Sequence, residues 1–387
     1  MIHVDRIVLR EVPLTLREPF RISSGLVIER RIFLLELCDA DGATTWSECV
    51  AGEHPNYSAE TIDTAWYAIR EWVAPRVLGR DFDRPEQVHD VLALDFRGHQ
   101  MAKAAVEMGC WALAATKLGV PLARLLGGTR ERIVTGISLG IQRSPEALVE
   151  RARAAQAAGY RKIKLKIAPG HDLPFVGAVR AALGPDVHLM ADANSAYGPA
   201  DFDHLTRLDA FGLIMIEQPL GQDDLVRHAA LQRRLQTPVC LDESITDVER
   251  AWAMIELGAG RIINIKPGRV GGFAAAKAIH DLAAAHGVPV WCGGMLESGV
   301  GRAYNVALAS LPNFSLPGDL SPSARYWERD LVSPEWTMDA DGLVGVPLDR
   351  PGIGVAVDVD RVESLTVRSE TLTAPAAAAR SPAAARA

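Results

Sequence analysis

The stretch that decides the fold is a series of short apolar runs, which includes KIKLKI (162–167), VHLMADA (187–193), FGLIMIE (211–217) and TPVCLDE (237–243). Each run is rich in aliphatic residues and has a charged residue at or near its end. Such runs are typical of parallel strands that are buried on both faces and lead into polar loops. Because amphipathic segments separate them, the sequence predicts alternating strands and helices.

Four further runs continue this rhythm, namely IVTGISL (133–139), RIINIKP (261–267), VPVWCGG (288–294) and the weaker NFSLPGD (313–319). The residues taken near the run ends are Ser138, Lys166, Asp192, Glu217, Asp242, Lys266, Gly293 and Gly318, and the steps between them are 28, 26, 25, 25, 24, 27 and 25. A strand, a helix and two short loops occupy about that length. Eight such units predict an α/β fold of the (β/α)8 TIM-barrel type, in which polar residues at the strand ends converge on one site.

The chain outside the barrel predicts a second module. Its N-terminal part has strand-like stretches near 3–12, 31–38 and 44–50 and helical patterns at 59–73, 85–94 and 100–118. Strands followed by helices favour an α+β domain.

These patterns divide the chain into four predicted parts. Residues 1–128 form the N-terminal α+β domain and residues 129–320 the barrel. Residues 321–372 leave the rhythm of the barrel and are expected to pack back on the N-terminal domain. The last part, 373–387, is mostly Ala/Pro low-complexity sequence, and we predict that it is disordered.

Composition excludes several classes of function. The 387 residues are 48% hydrophobic, with a formal net charge of −7, whereas nucleic-acid binding needs a basic face. No apolar run reaches the roughly 18 residues of a membrane-spanning helix, so we expect neither a nucleic-acid nor a membrane partner. Five scattered cysteines without a C-x-x-C favour reduced thiols in a cytoplasm.

Three acids, Asp192, Glu217 and Asp242, follow three consecutive predicted strands. One acid at a strand end is more often a helix cap or a salt-bridge partner. Three acids around one barrel mouth would repel one another unless a cation lies between them. Oxygen ligands favour Mg²⁺, with Mn²⁺ or another divalent ion as alternatives, and Asn194 is expected to support the ligands.

Lysines form the second charged set. Lys164 and Lys166 are two residues apart on one strand, so both should face the barrel mouth, whereas Lys162 is expected to be an ordinary solvated lysine. Mutual repulsion and partial burial should lower the pKa of a lysine there toward that of a general base. Lys266 ends the sixth strand, opposite the second, and would meet the other face of a bound substrate.

Four residues near strand ends have two interpretations each. Arg269 either tunes the basicity of Lys266 or begins a helix at the surface. Gly293 and Gly294, followed by Met295, either let a ligand approach the backbone closely or only form a turn.

This set of residues resembles the enolase superfamily, and within it the muconate-lactonizing subgroup. The chain looks most like the o-succinylbenzoate synthase / N-succinylamino acid racemase (N-acylamino acid racemase) family. The stretches that carry the resemblance are KIKLKIAPG, ADANSAY, IEQPL, LDESI, NIKPGRVGG, VWCGGMLESGVGRA and ALASLPNFSLPGD.

The resemblance implies a role for each residue. Asp192, Glu217 and Asp242 would bind Mg²⁺, Lys166 and Lys266 would be acid/base groups on opposite faces of the substrate, and Lys164 would aid the enolate. The N-terminal module would cap the barrel mouth. The implied pocket residues are Ser138, Gly293, Gly294 and Met295 from the barrel, Phe20, Arg21 and Tyr57 from the capping loops, and Tyr326 from the C-terminal segment.

The implied chemistry is removal of the proton next to the carboxylate of a small-molecule substrate, which gives an enediolate. Loss of a β-hydroxyl would then give o-succinylbenzoate, a menaquinone precursor, and reprotonation on the other face would racemize an N-succinylamino acid. Racemizing members of the family resemble this chain in having an arginine at the position of Arg269.

The alternatives in the same superfamily are muconate cycloisomerase, dipeptide epimerase, whose Asp-x-Asp at the eighth strand reads SLPGD here, and acid-sugar dehydratase, which has a histidine at the position of Lys266. A non-enzymatic barrel would lack a catalytic residue, and none is missing. A homo-oligomer is expected.

Overall fold

The structure, a computed structural model, describes residues 1–23 and 25–374. The N-terminal domain contains strands β1 (Ile2–Ile22), β2 (Gly25–Asp39), β3 (Thr44–Cys49) and β4 (Asp81–Phe82) and helices α1 (Ile62–Ala68), α2 (Ala74–Val77), α3 (Glu86–Ala93), α4 (Gln100–Leu118) and α5 (Leu122–Leu126). A π-helical turn, Ile69–Val73, joins α1 to α2. The first two strands are longer than the sequence predicts, because they continue as one hairpin whose outer pairs are Phe20–Val27 and Ile22–Gly25.

The barrel follows. Its strands are β6 (Ile137–Leu139), β7 (Lys162–Lys166), β8 (His188–Asp192), β9 (Ile216–Glu217), β10 (Val239–Leu241), β11 (Ile262–Ile265) and β12 (Val290–Cys292). Its helices are α6 (Pro145–Ala157), α7 (Leu173–Leu183), α8 (Phe202–Thr206), α9 (Leu225–Gln232), α10 (Val248–Leu257), α11 (Pro267–Val270), α12 (Phe273–Ala285) and α13 (Gly299–Ala309). The seven strands form one parallel sheet in chain order, which confirms the predicted α/β barrel architecture.

The eighth predicted strand differs from the others. Gly318 forms one isolated bridge to Thr135, and Asp319 N donates to Cys292 O, so this segment closes the ring between β12 and the start of β6. Within the described residues it forms no regular strand, because Pro317 has no N–H to donate and interrupts the ladder.

The first predicted run also divides. Its start forms β5 (Arg132–Val134), which pairs with β14 (Leu343–Gly345) outside the barrel. The other C-terminal elements are β13 (Val332–Ser333), β15 (Ala356–Val357), α14 (Val359–Leu365) and β16 (Arg368–Thr373). The last of these strands pairs with β1, so the C-terminal segment completes the sheet of the N-terminal domain. The predicted disordered tail lies outside the described residues from residue 375 onward.

Side-chain caps set the start of most barrel helices. An Asp or Ser accepts a backbone N–H at the N-termini of α6, α7, α9, α10 and α13, where the capping residues are Ser144, Asp172, Asp224, Asp247 and Ser298. Such caps satisfy N–H groups that have no partner within the helix. These capped N-termini follow β6, β7, β9, β10 and β12 in the chain, at the strand ends where the predicted site lies.

Two buried glutamates of the N-terminal domain cap barrel helices. Glu107 accepts hydrogen bonds from the N–H groups of Phe273 and Ala274 at the start of α12. Glu48 accepts from the N–H groups of Ser298 and Gly301 at the start of α13. Each carboxylate faces the positive end of a helix, so these contacts orient the N-terminal domain on the barrel.

We expect Glu107 to make folding stability depend on pH. Burial raises the pKa of Glu107 from an ordinary 4.5 to about 7 although backbone N–H groups and Trp111 oppose it, so the folded chain binds more protons than the unfolded chain between these values. The contribution of this group is complete below pH 4.5 and is lost as the pH rises through 7. Between pH 5 and 8 the wild type should lose about 2 kcal/mol more unfolding free energy than Glu107→Gln.

Denaturant unfolding at several pH values measures this difference. Glu256→Gln, at an exposed position on α10, is the matched control and should leave the pH profile of the wild type unchanged. Parallel profiles for the wild type and Glu107→Gln would contradict the assignment.

Candidate active site

The ends of adjacent strands bring the predicted charged residues together. In the parallel ladder Lys166 pairs with Asp192, and Asp192 pairs with Glu217. Cys240 of the next strand is the partner of Glu217, and Asp242 lies two residues beyond Cys240, just past the end of that strand. All three acids are at most 1% exposed. The barrel therefore gathers three carboxylates at one mouth.

One prediction about the lysines of β7 is wrong. Lys162 is not a solvated residue: it is fully buried inside the barrel, with its Nζ 3.1 Å from Asp319 Oδ1 and 3.6 Å from the centroid of the Trp291 ring. The reason is the alternation that also turns Lys164 and Lys166 inward, because residues i, i+2 and i+4 of a strand share one face.

The lysines neutralise the three acids. Lys166 Nζ lies 2.6 Å from Asp192 Oδ2, and Lys266 Nζ lies 2.8 Å from Asp242 Oδ2. Lys164 Nζ lies 3.2 Å from both Asp192 Oδ2 and Glu217 Oε2. Lys166 and Lys266 thus flank the group of acids from the two strands that the sequence placed on opposite sides of the barrel.

Arg269 belongs to the site and not to the surface. It is 4% exposed, and it donates to Asp242 and to the backbone carbonyls of Asn264 and Ile245. The Tyr57 hydroxyl lies 3.1 Å from its Nη1 and 3.0 Å from Lys266 Nζ. Asp242 and Tyr57 therefore stand between the two cations.

The lysines differ in their pKa. Burial lowers the pKa of Lys166, and neighbouring Lys164 acts in the same direction, although Asp192 opposes them. Burial also disfavours the charged form of Lys266, but Tyr57 and nearby carboxylates outweigh it and raise its pKa. The pKa of Lys266 is therefore set mainly by burial, Tyr57 and the carboxylates of Glu217 and Glu243, and a tuning role of Arg269 stays a prediction.

The acids fit a divalent cation by their chemistry. Burial, followed by the charge of Asp192, raises the pKa of Glu217, which is the repulsion that a cation between the acids would relieve. In the described part of the chain, no three His, Cys, Asp or Glu side chains form a ready metal-binding group. The lysines and Arg269 instead occupy the carboxylate oxygens, and a bound ion would have to displace these contacts.

A cavity of about 330 Å³ opens above the acids. The predicted residues that line it are Phe20, Tyr57, Lys166, Asn194, Lys266, Gly294 and Met295. Asn194 accepts from Lys166 Nζ at 2.6 Å and donates to Glu243 Oε1 at 3.0 Å. The hairpin of β1 and β2 covers the cavity with apolar side chains, including Leu26 and Ile28.

Four other predicted pocket residues do not line this cavity. Ser138 pairs with Lys164 across β6 and β7, and its buried hydroxyl has no hydrogen-bond partner among the described residues. A Cβ on Gly293 would lie 2.5 Å from Lys266 Cε, so this glycine makes room for the lysine. The Arg21 side chain is exposed while its carbonyl accepts from Ile141 N, and Tyr326 is buried beneath Arg302.

Sequence reasoning missed three polar residues of the site. Asn264 donates to Glu217 Oε1 at 2.7 Å, Glu243 lies beside Asn194, and Asp319 contacts Lys162 and Lys164. Asn264 precedes Lys266 by two residues, so strand alternation could have identified it. Burial raises the pKa of Glu243 to about 7, and the charge of Asp192 acts in the same direction.

Two family models together cover most of the chain. "Mandelate racemase / muconate lactonizing enzyme, N-terminal domain" matches residues 4–127, and "Enolase C-terminal domain-like" matches residues 147–362. The chain belongs to the enolase superfamily. Members of this superfamily bind a divalent metal ion, generally Mg²⁺, which agrees with the oxygen-rich donor set.

Similar proteins carry two activities in their names. An o-succinylbenzoate synthase of Geobacillus kaustophilus is 49% identical over 94% of this chain and 96% of its own length. An N-succinylamino acid racemase of Thermus thermophilus is 48% identical over 93% of this chain and 96% of its own. A solved enolase-superfamily structure from Listeria innocua has a TM-score of 0.93 at 39% identity and covers 96% of this chain and 100% of its own.

The similarity of this chain to two further solved structures shows the fold alone, because their sequence identity to it is low. A muconate lactonizing enzyme of Pseudomonas fluorescens and a dipeptide epimerase of Cytophaga hutchinsonii are each 24% identical, with TM-scores of 0.89 and 0.86. Among residues 1–23 and 25–374, no helix has both the length and the apolar character that crossing a membrane requires.

Proposed function

We propose that this enolase-superfamily protein is an o-succinylbenzoate synthase that also racemizes N-succinylamino acids. The observation that carries the proposal is that Lys166 and Lys266 line one cavity and flank the same group of acids. A carboxylate substrate between them would present its α-carbon to an amine on each face. One amine suffices for dehydration, and two allow inversion.

The charges of the site support enediolate formation. Its basic side chains are Lys162, Lys164, Lys166, Lys266 and Arg269, and its acidic ones are Asp192, Glu217, Asp242, Glu243 and Asp319. A divalent ion held by Asp192, Glu217 and Asp242 would supply electrostatic stabilisation of the growing negative charge.

The individual residues then have distinct proposed roles. Lys166, whose pKa burial lowers, holds or removes the α-proton on one face. Lys266, which Tyr57 orients at 3.0 Å, exchanges a proton on the other face. Lys164 keeps an ammonium group beside the enediolate oxygens, and the apolar hairpin over the cavity excludes water.

Two alternatives have less support. A dipeptide epimerase needs free carboxylates at the eighth strand to hold the substrate ammonium, whereas Asp319 already contacts two lysines. A muconate cycloisomerase shares the lysine and acid positions, but the relatives at 44–49% identity with this chain carry the names o-succinylbenzoate synthase and N-succinylamino acid racemase. The cytoplasmic location and the homo-oligomer stay predictions from the sequence.

The racemase half can be tested by isotope exchange. Both enantiomers of N-succinylphenylalanine should exchange their α-proton with solvent in D₂O, because each face of the carbon meets one lysine. ¹H NMR measures the loss of the α-proton signal, and muconate, assayed in parallel, should not be isomerized. If neither enantiomer exchanges while o-succinylbenzoate forms, the racemase half is wrong and the synthase half stands.

A further inference from the structure

A buried ion pair lies deeper in the barrel than the lysines that flank the cavity. Lys162 is fully buried, and its ammonium lies over the ring of Trp291, which packs in an apolar cluster with Met190, Met215, Cys240 and Ile262. Its ion-pair partner is Asp319, which is 5% exposed. Neither side chain lines the cavity that would hold the substrate.

Stability alone does not account for this pair. Moving two charges into an apolar interior has a large desolvation cost, and a buried pair can often be replaced by apolar residues without loss of stability. The contact of the Lys162 ammonium with the Trp291 ring offsets only part of that cost. We therefore look for a role of this ion pair in the site at the barrel mouth.

Asp319 connects the deep lysine to the mouth of the barrel. Its Oδ1 lies 3.1 Å from Lys162 Nζ, and its Oδ2 lies 2.5 Å from Lys164 Nζ. Burial opposes ionisation of this carboxyl, but the two lysines outweigh burial and hold its pKa at about 2. Asp319 is thus a carboxylate whose two oxygens each meet a different ammonium.

The other partners of Lys164 are the proposed metal ligands. Asp192 and Glu217 each lie 3.2 Å from its Nζ, and a divalent ion would compete with Lys164 for their oxygens. An ammonium next to a divalent cation would then be repelled from the mouth of the barrel. Asp319, which is not one of the proposed metal ligands, is the partner that Lys164 keeps.

We propose that Asp319, itself paired with Lys162, is the positioning residue that keeps the Lys164 ammonium at the barrel mouth when a divalent ion and a substrate carboxylate are bound. This inference rests on the proposed function for its catalytic consequence. Its consequence for metal binding needs no substrate. Asp319 touches neither the substrate nor the ion, and it acts through Lys164.

The test is Asp319→Asn, which keeps the shape of the side chain and removes its charge. Without that charge Lys164 relies more on Asp192 and Glu217, so calorimetry should show Mg²⁺ binding to the metal-free protein about tenfold more weakly. The kcat for o-succinylbenzoate formation should fall about 30-fold while KM stays within threefold, because Lys164 acts on the enediolate more than on the substrate.

A double variant separates positioning from a structural role. In K162M/D319L the pair is replaced by apolar side chains, and the midpoint of thermal unfolding should stay within a few degrees of the wild type or rise. Mg²⁺ affinity and kcat should nevertheless fall as in the single variant. Glu107→Gln, a buried carboxylate-to-amide change at the domain interface, is the control and should keep both within twofold.

The outcomes are distinct. Variants at Asp319 that bind Mg²⁺ and turn over substrate within threefold of the wild type would overturn the positioning role. If the single variant does not fold, the double variant decides between the two results. A wild type that binds Mg²⁺ but converts neither substrate would refute the proposed function, while the Mg²⁺ affinity of the variants would still test Asp319.

Discussion

Replacing Lys166 by alanine should abolish turnover, with a fall in kcat of at least about 10³-fold for both proposed substrates. The physical reason is the position of this amine, which lies at the cavity beside Asp192 and has a pKa that burial lowers. Steady-state assays of o-succinylbenzoate formation and of racemization measure the loss. Circular dichroism should remain close to that of the wild type, and calorimetry should show Mg²⁺ binding at least as tight, because the three acids are intact and the ammonium that contacts Asp192 is gone.

The variant Lys266→Ala tests whether the two lysines act on opposite faces of the substrate. If Lys166 and Lys266 serve opposite faces, each variant should lose racemization but still exchange the α-proton of one enantiomer of N-succinylphenylalanine in D₂O, and the two variants should select opposite enantiomers. Lys277→Ala, a half-exposed lysine of α12, is the matched control and should behave as the wild type. An unaffected rate in Lys166→Ala would move the base to another residue.

The barrel was predictable because its signal is local and repeated. Each buried strand appears as an apolar run, and the spacing of the run ends reflects the length of one strand–helix unit. The eighth unit was weaker for a reason visible in the sequence, since Pro317 has no N–H to donate and interrupts the ladder that the other strands form. The long hairpin of β1 and β2 was underestimated, because its outer part is stabilised by contacts with the barrel, such as that between Arg21 O and Ile141 N.

The sequence predicted where the charged residues at the barrel mouth lie along the chain. It did not predict which of them form ion pairs with one another. Alternation along β7 places Lys162 inside as firmly as Lys164, and assigning it to the surface ignored that rule. Its partner Asp319 lies far away in sequence, so only the closed barrel brings the two together. Likewise Tyr57 and Tyr326 were equal candidates by sequence, and the fold places the first between Lys266 and Arg269 and buries the second beneath Arg302.

Removal of the divalent ion should abolish both activities and leave the chain folded. Chelation with EDTA should lower kcat by at least about 10³-fold, because electrostatic stabilisation of the developing charge is commonly the largest contribution to catalysis. Unlike a structural metal site, this one has its own internal counter-charges. Lys164, Lys166, Lys266 and Arg269 contact the acids without an ion, so the fold should survive chelation.

Activity should return on addition of Mg²⁺ or Mn²⁺, whereas K⁺ at equal ionic strength is the control and should have no effect. Glu217→Gln tests the same site by mutation, because Glu217 lies between the other two acids in the ladder and its loss removes a ligand charge shared with both neighbours. This variant should bind Mg²⁺ at least tenfold more weakly by calorimetry. Full activity in EDTA would mean that the lysines and Arg269 alone stabilise the enediolate, and the acids would then serve to hold these cations in place.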